Sequence, residues 1–248
     1  MAEKLQKVNR LITDESSSFL HKYQSIVLGC KSLGYLLKYE LITLFCGPVP
    51  GALGLVLRKL FYPLLLQRCG KGVVFGRDVV IRHGLKICIG NKVVVDDGCV
   101  LDARGEHNQG ISIGDRVILG RHTILGCKDG DIIIADNVGI GTFSMIHAVG
   151  GNQVVLEESA LLAPHVYLVG GGTHSFADTA VAITEQDLIY KGGIRLGRNC
   201  WLGARVTVLD GAAIGHDAVI GAGAVVTENI PAFSIAVGVP AKVIKQRS

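Results

Sequence analysis

The sequence predicts a mainly β fold: a parallel β-helix built as a three-sided prism, preceded by an N-terminal helical hairpin. Three observations carry this. From Val73 onward an apolar residue recurs at steps that are mostly six residues long, as at Phe75, Ile81, Ile89, Val95, Leu101, Ile113, Leu119 and Leu125, and on through Ile214 and Ile220 to Val226. Glycine or another small residue commonly follows, as in IGDRVI (113–118), LGRHTI (119–124) and IGAGAV (220–225). The composition agrees: 33 Gly in 248 residues, against only 7 Phe, 6 Tyr and 1 Trp, so the chain needs many turns and has few rings to fill a wide core.

The N-terminal segment, residues 1–70, lacks the six-residue phase. Thr13 with Asp14 and Glu15 reads as a helix start, acids in a first turn being favoured by the helix dipole. Apolar residues then recur at 19, 23, 26, 30, 33, 37, 41 and 44, the spacing of an amphipathic helix. Gly47-Pro48-Val49-Pro50-Gly51 breaks it, and a second apolar helix is expected over about 51–68. Residues 41–57 carry no charge, but the break sits inside that stretch, which argues against a membrane span. Two readings remain: a hairpin packed on the prism and its trimer neighbours, or peripheral membrane contact through residues 15–69 with Arg58, Lys59 and Arg68 near head groups.

Residues 71–230 form the prism. Six is not a helical period; it fits a few extended residues and a bend. Three such units make one triangular coil of about 18 residues, and stacked coils pair their strands in parallel. Twenty in-phase apolar positions give roughly seven coils. The phase breaks mildly after Leu101, Leu125 and Ile146, and strongly between Leu168 and Leu196. The extra residues there must leave the prism as an extruded loop, 169–195, and long loops on rigid scaffolds tend to carry function. A tail, 231–248, ends the chain.

Charge and cysteine usage narrow the class. A net charge of +4 without a basic run gives no support for nucleic-acid binding. Seven Cys without a C-x-x-C pair suggest neither a zinc site nor a disulfide framework. With a polar start and no secretory core, the expected compartment is the cytoplasm.

CWLGARVTVLDGAAIG (200–215), IGAGAVVTENIP (220–231) and VGVPAKVIK (237–245) resemble the hexapeptide-repeat O-acetyltransferases, the branch that includes galactoside, maltose, colanic-acid and O-antigen enzymes. The likeness covers about 71–248 and implies a left-handed coil, a homotrimer, and sites in clefts between neighbouring prisms. It also implies acetyl-CoA as cosubstrate and no metal. The acceptor would be a sugar or glycan hydroxyl, in a precursor that is larger or lipid-linked. Residue by residue, it makes His174 the catalytic base. It assigns Gly203 and Ala204 to the thioester carbonyl, Ala222 to the pantetheine arm, and Thr227, Lys242 and Lys245 to the nucleotide phosphates. Glu228 stands where the family often has lysine. Where the galactoside and maltose enzymes carry Asn-Phe-Asn to hold the sugar, this chain has Thr142, Phe143 and Ser144, a departure that argues against a small free galactoside or maltose; His147, His165 and Trp201 would line the acceptor or acyl cleft.

The residues themselves leave alternatives. His174 suits a base because imidazole titrates near neutral pH, yet it also reads as an exposed loop residue. Asp178, Glu185 and Asp187 are each candidates to orient its second ring nitrogen. His147 reads equally as a solvated strand residue, His165 as structural, Trp201 as packing, and the two lysines as a basic terminus. No G-x-S-x-G elbow is present, so direct attack on the thioester is expected rather than an acyl-enzyme. N-acetyl transfer to an amino sugar and a non-catalytic trimeric scaffold are the competing functions. A metal-dependent lyase on the same prism would need an H-x4-H pair, which is absent.

Overall fold

The computed structural model describes residues 18–247; the helix start at Thr13 lies outside them. Helix α1 (Phe19–Tyr23) runs into one wide turn, Gln24–Leu28, and stops at Gly29, whose φ is +70°. Helix α2 spans Leu33–Cys46, started by the Ser32 hydroxyl accepting Tyr35 N–H. Helix α3 spans Gly51–Phe61 and is followed by a tight turn, Tyr62–Leu65. The single amphipathic helix expected over 14–46 is therefore two pieces.

The side that is buried also differs from the expected one. On α2 the residues packed inward are Tyr35, Tyr39, Ile42 and Cys46, while Leu33, Leu37, Leu41 and Leu44 face out. The tyrosines explain this choice: each buries a ring and still satisfies its hydroxyl, Tyr35 Oη donating to Leu65 O at 2.7 Å and Tyr39 Oη to Ile81 O at 2.9 Å. Arg58, 1% exposed, locks the break between α2 and α3. Its guanidinium donates to the carbonyls of Cys46, Gly47, Val49 and Phe75 at 2.7–3.2 Å, so the buried charge is held by carbonyl dipoles. These bonds fix the hairpin to the first coil of the prism.

The prism has three parallel sheets, called here faces one, two and three. They begin with Arg68–Cys69, Val74–Phe75 and Val80–Arg82 respectively. The chain visits them in rotation for about seven coils. All twenty in-phase positions fall in three inward columns. Face one stacks Ile89, Ile113, Ile134, Leu156, Leu196 and Ile214. Face two stacks Phe75, Val95, Leu119, Ile140, Leu162, Leu202 and Ile220. Face three stacks Ile81, Leu101, Leu125, Ile146, Leu168, Val208 and Val226. None is more than 3% exposed. Because each coil packs only on its neighbours, a void cannot be closed by sideways collapse. Leu125→Ala is therefore expected to cost about 2–5 kcal/mol, read as a lowered denaturant midpoint; a change below about 1 kcal/mol contradicts this packing.

The phase breaks become excursions at the edge between faces three and one. The largest occupies residues 171–193, between the strand Tyr167–Gly170 and the strand Ile194–Leu196. At the far end, Lys242–Gln246 folds back antiparallel on Ser234–Val237 and extends face two. All seven cysteines are free thiols.

Candidate active site

The edge between faces two and three is a stack of similar turns: Gly120-Arg121-His122, Gly141-Thr142-Phe143, Ala163-Pro164-His165, Gly203-Ala204-Arg205 and Gly221-Ala222-Gly223. The third residue of each takes a positive φ, between +57° and +73°. Backbone bonds between turns hold the stack: His165 N to Thr142 O at 2.9 Å, Arg205 N to Pro164 O at 3.1 Å, Gly223 N to Ala204 O at 2.9 Å. Thr142, His165, Ala204 and Ala222 thus stand on four successive turns of one edge, one coil step of ~4.8 Å apart.

Gly203 N–H is spent on Ile220 O at 2.8 Å, so it cannot serve a ligand. The N–H groups of Ala204 and Ala222 make no hydrogen bond to the described residues and are left to the edge. Gly203 is required here for another reason: a Cβ would lie 2.6 Å from Ala222 N, closer than real contacts allow. Its role is to let the turns nest.

The same edge carries a ladder of rings that sequence reading missed. His122 stacks on Phe143 at 4.9 Å, and Phe143 on His165 at 5.4 Å. Phe143 is 55% exposed. The signal was present, since the three rings each sit three residues after an inward position of face two, one coil apart. His165 owes its place to this stack and to its left-handed turn.

Ser144 is a correction. It is fully buried in the inner column, donating to Ala163 O at 3.4 Å and accepting Val166 N–H at 3.2 Å. Its hydroxyl satisfies the corner and is closed to an acceptor. Thr142, two residues earlier, is half-buried on the edge itself. Trp201 stands on the flat of face two, half exposed, between Leu161 and Val219 in register.

His147 points out of face three, over Gly126 and edge-on to Tyr167, ring centroids 6.4 Å apart. Burial holds its pKa below the ordinary 6.5, with the Asp102 carboxylate opposing the shift. Asp102 is itself buried, paired with Arg104 at 3.2 Å and Arg82 at 3.7 Å. A depressed histidine pKa means that the unfolded chain takes up the proton first. Stability is then full above about 6.5 and declines as pH falls from there through the lower native value. His83, buried beneath the wide turn Gln24–Leu28, is shifted down for the same reason. His147→Phe is expected to lose less stability than wild type between pH 7.5 and 5, by denaturant midpoint; equal losses contradict the assignment.

His174 leaves from the other edge of face three. Thr173–His174 pairs antiparallel with Leu188–Ile189, extended by Ser175 N to Asp187 O at 2.8 Å. Among the glycines before it, Gly171 is needed by the protein's own backbone: its φ is +109°, and a Cβ there would lie 2.6 Å from Val149 O. The imidazole is half-buried, and its Nδ1 has no hydrogen-bond partner among the described residues. The three proposed orienting carboxylates do not reach it. Asp178 instead accepts Ala180 N–H at 2.8 Å, closing its own turn.

What anchors the loop is a pair that the sequence did not expose, Asp210 and Asn152, both buried. Asp210 accepts Lys191 N–H and Gly193 N–H at 2.8 Å each, and Asn152 Nδ2 donates to it at 3.3 Å. The return of the loop is thereby stapled to the coils on either side.

Thr227 is exposed at the end of face three, on the edge from which the loop leaves. Lys242 Nζ lies 3.6 Å from Glu228, both well exposed, a contact worth little in water. Lys245 pairs in register with Ile235. One chain therefore brings Thr142, His165, Ala204 and Ala222 together, but sets His174 across face three from them.

Comparison with known proteins bears on the family and the fold. Residues 193–228 match the bacterial transferase hexapeptide family (six repeats). A probable acetyltransferase of Mycobacterium tuberculosis is 34% identical over 76% of this chain and 54% of its own length. An Escherichia coli protein named for O-acetyl transfer in lipopolysaccharide biosynthesis is 32% identical over 47% of this chain and 61% of its own. The chain thus spans little more than half the length of these relatives. The crystal structure of AntD, an N-acyltransferase from Bacillus cereus in complex with dTDP and 3-hydroxybutyryl-CoA, superposes with a TM-score of 0.53. It is 19% identical and covers 77% of this chain and 88% of that one, a likeness of fold.

Proposed function

We propose that this prism of bacterial transferase hexapeptides moves an acyl group, acetyl by its resemblance, from a coenzyme A thioester to a hydroxyl of a sugar or glycan precursor. One observation carries the reading. The backbone N–H groups of Ala204 and Ala222 stand unbonded on adjacent turns of an open edge, as donors for a thioester carbonyl and a pantetheine amide must. The naming of relatives for acetyl transfer supports the same class.

The working unit of this reading is more than one chain, because His174 and the Ala204–Ala222 turns leave opposite edges of face three. A cleft between two copies joins the loop of one, with His174, to the edge of the other, with Ala204 and Ala222. Cyclic symmetry closes three such clefts in a homotrimer. In each, His174 takes the proton of the acceptor hydroxyl as its oxygen attacks the thioester carbonyl. Ala204 N–H meets the oxyanion that forms. The C–S bond then breaks, and the imidazolium returns the proton to the departing thiolate. His174 Nδ1, unpartnered among the described residues, is left for a carbonyl or carboxylate of the neighbouring copy. Thr142, His165 and exposed Phe143 line the approach of the acceptor. Thr227, Lys242 and Lys245 sit at the end where phosphates would lie. The free thiols suit the reducing cytoplasm.

The test is release of free CoA from acetyl-CoA by the purified chain, with hydroxyl and amino sugars offered in parallel. Acceptor-dependent release with a hydroxyl sugar is the expected result. Calorimetry showing no binding of CoA at millimolar concentration would leave a scaffold as the better reading.

A further inference from the structure

From the helical hairpin we infer that this protein docks on an anionic lipid bilayer, lying in the plane of the interface. The inference is independent of the acyl-transfer reading. Helix α2 is apolar on two sides. One side packs on the prism; the other presents Leu33, Leu37, Leu41 and Leu44, each 47–65% exposed, at the spacing of a single helical stripe. Helix α3 adds Leu53, Val56 and Leu60, each 53–65% exposed. Large apolar residues grouped in this way mark an interaction surface rather than the scattered exposure of ordinary surfaces.

Charge selects the occupant. Residues 18–72 carry seven cations, Lys22, Lys31, Lys38, Arg58, Lys59, Arg68 and Lys71, against one carboxylate, Glu40. Arg58 is buried among carbonyls, and Glu40 accepts the Tyr23 hydroxyl. Four of the other cations, Lys31, Lys59, Arg68 and Lys71, are exposed on the same segment as the apolar stripes, a combination that suits the acyl boundary and head groups of an anionic leaflet. A second copy seated on the same face would bring two such cationic sets together, which like-charge repulsion opposes. The mode is fixed by length. No helix among the described residues is long and apolar enough to cross a membrane, so both lie flat. The surface is also rigid, because the Arg58 bonds hold α2 and α3 in one orientation and binding need not order them.

Flotation of the full chain with vesicles decides the matter. Phosphatidylcholine vesicles with 30 mol% phosphatidylglycerol, in roughly 50 mM salt, are expected to carry the protein upward. Pure phosphatidylcholine should bind about tenfold less, and roughly 0.5 M salt should release the protein. Leu41→Glu combined with Val56→Glu changes only exposed side chains and is expected to reduce binding by tenfold or more, with an unchanged circular dichroism spectrum. Lys59→Glu with Lys71→Glu should remove the preference for the anionic vesicles. The inference is overturned if the intact chain stays at the bottom of the gradient with both vesicles. It is equally overturned if the Leu41/Val56 variant floats as well as wild type, or if that variant dissociates an oligomer while vesicle binding is unmoved. Because none of these readouts uses turnover, an inactive protein that floats still supports the inference.

Discussion

His174→Ala is expected to lower kcat by about 100- to 10,000-fold, the range spanned by loss of a positioned general base, while leaving the affinity for CoA within about twofold. The split follows from geometry. The unbonded N–H groups of Ala204 and Ala222 lie on the edge between faces two and three, and His174 stands on a loop that leaves the opposite edge of face three. On the proposed reading, removing the imidazole takes away the proton acceptor without touching the N–H groups assigned to the thioester. Single-turnover kinetics with calorimetric CoA titration of the same sample measure both quantities. Unchanged turnover removes His174 from the chemistry. Loss of CoA binding together with turnover would instead mean that the substitution disturbed the loop. Mixing this variant with a second, impaired on the Ala204–Ala222 edge, tests the shared cleft: mixed trimers regain activity only if the loop and edge come from different copies.

Asp210→Ala should act on both stability and turnover. Its carboxylate accepts two backbone N–H groups of the returning loop and the Asn152 amide, in a site 5% exposed. Alanine leaves two buried donors unpaired, at a cost of about 3 kcal/mol. It also frees the base of the loop, so His174 loses its fixed position and kcat is expected to fall at least tenfold. The affinity for CoA should hold, because Ala204 and Ala222 are untouched. Asp210→Asn keeps one accepting oxygen and is expected to recover part of both losses. If Asp210→Ala lowers the denaturant midpoint yet retains full turnover, the staple is structural only and the loop finds its place without it.

The sequence disclosed the prism because its core is one-dimensional. Each inward position needs only a neighbour one coil away, so Ile146 between Leu125 and Leu168 follows from counting residues. The edge was legible for a related reason: Thr142, His165, Ala204 and Ala222 keep a regular offset from an inward residue. Ser144 shows the limit of that reading. A hydroxyl in a polar-looking stretch proved to occupy an inner column, and only its phase, two residues before Ile146, distinguished it from Thr142. The staple was hidden because Asp210 meets Lys191 and Gly193 across an irregular segment that keeps no period. On α2 the apolar stripe was visible but its direction was not. Two stripes of similar hydropathy share that helix, and tyrosine hydroxyls in reach of carbonyls decided which one turned inward.

Stacking by coils also makes the prism a ruler. The hairpin is fixed to the first coil, through Arg58 and Phe75, and the extruded loop leaves the fifth. Four coil steps of ~4.8 Å set about 19 Å between them along the axis. A protein resting on its hairpin with the prism axis upright would hold the root of that loop at about this height above its support, beyond the sugar nearest the membrane on a lipid-linked glycan. Duplicating or deleting one coil, such as the one that carries Ile113, Leu119 and Leu125, would change that reach by one strand spacing and leave the chemistry as it was.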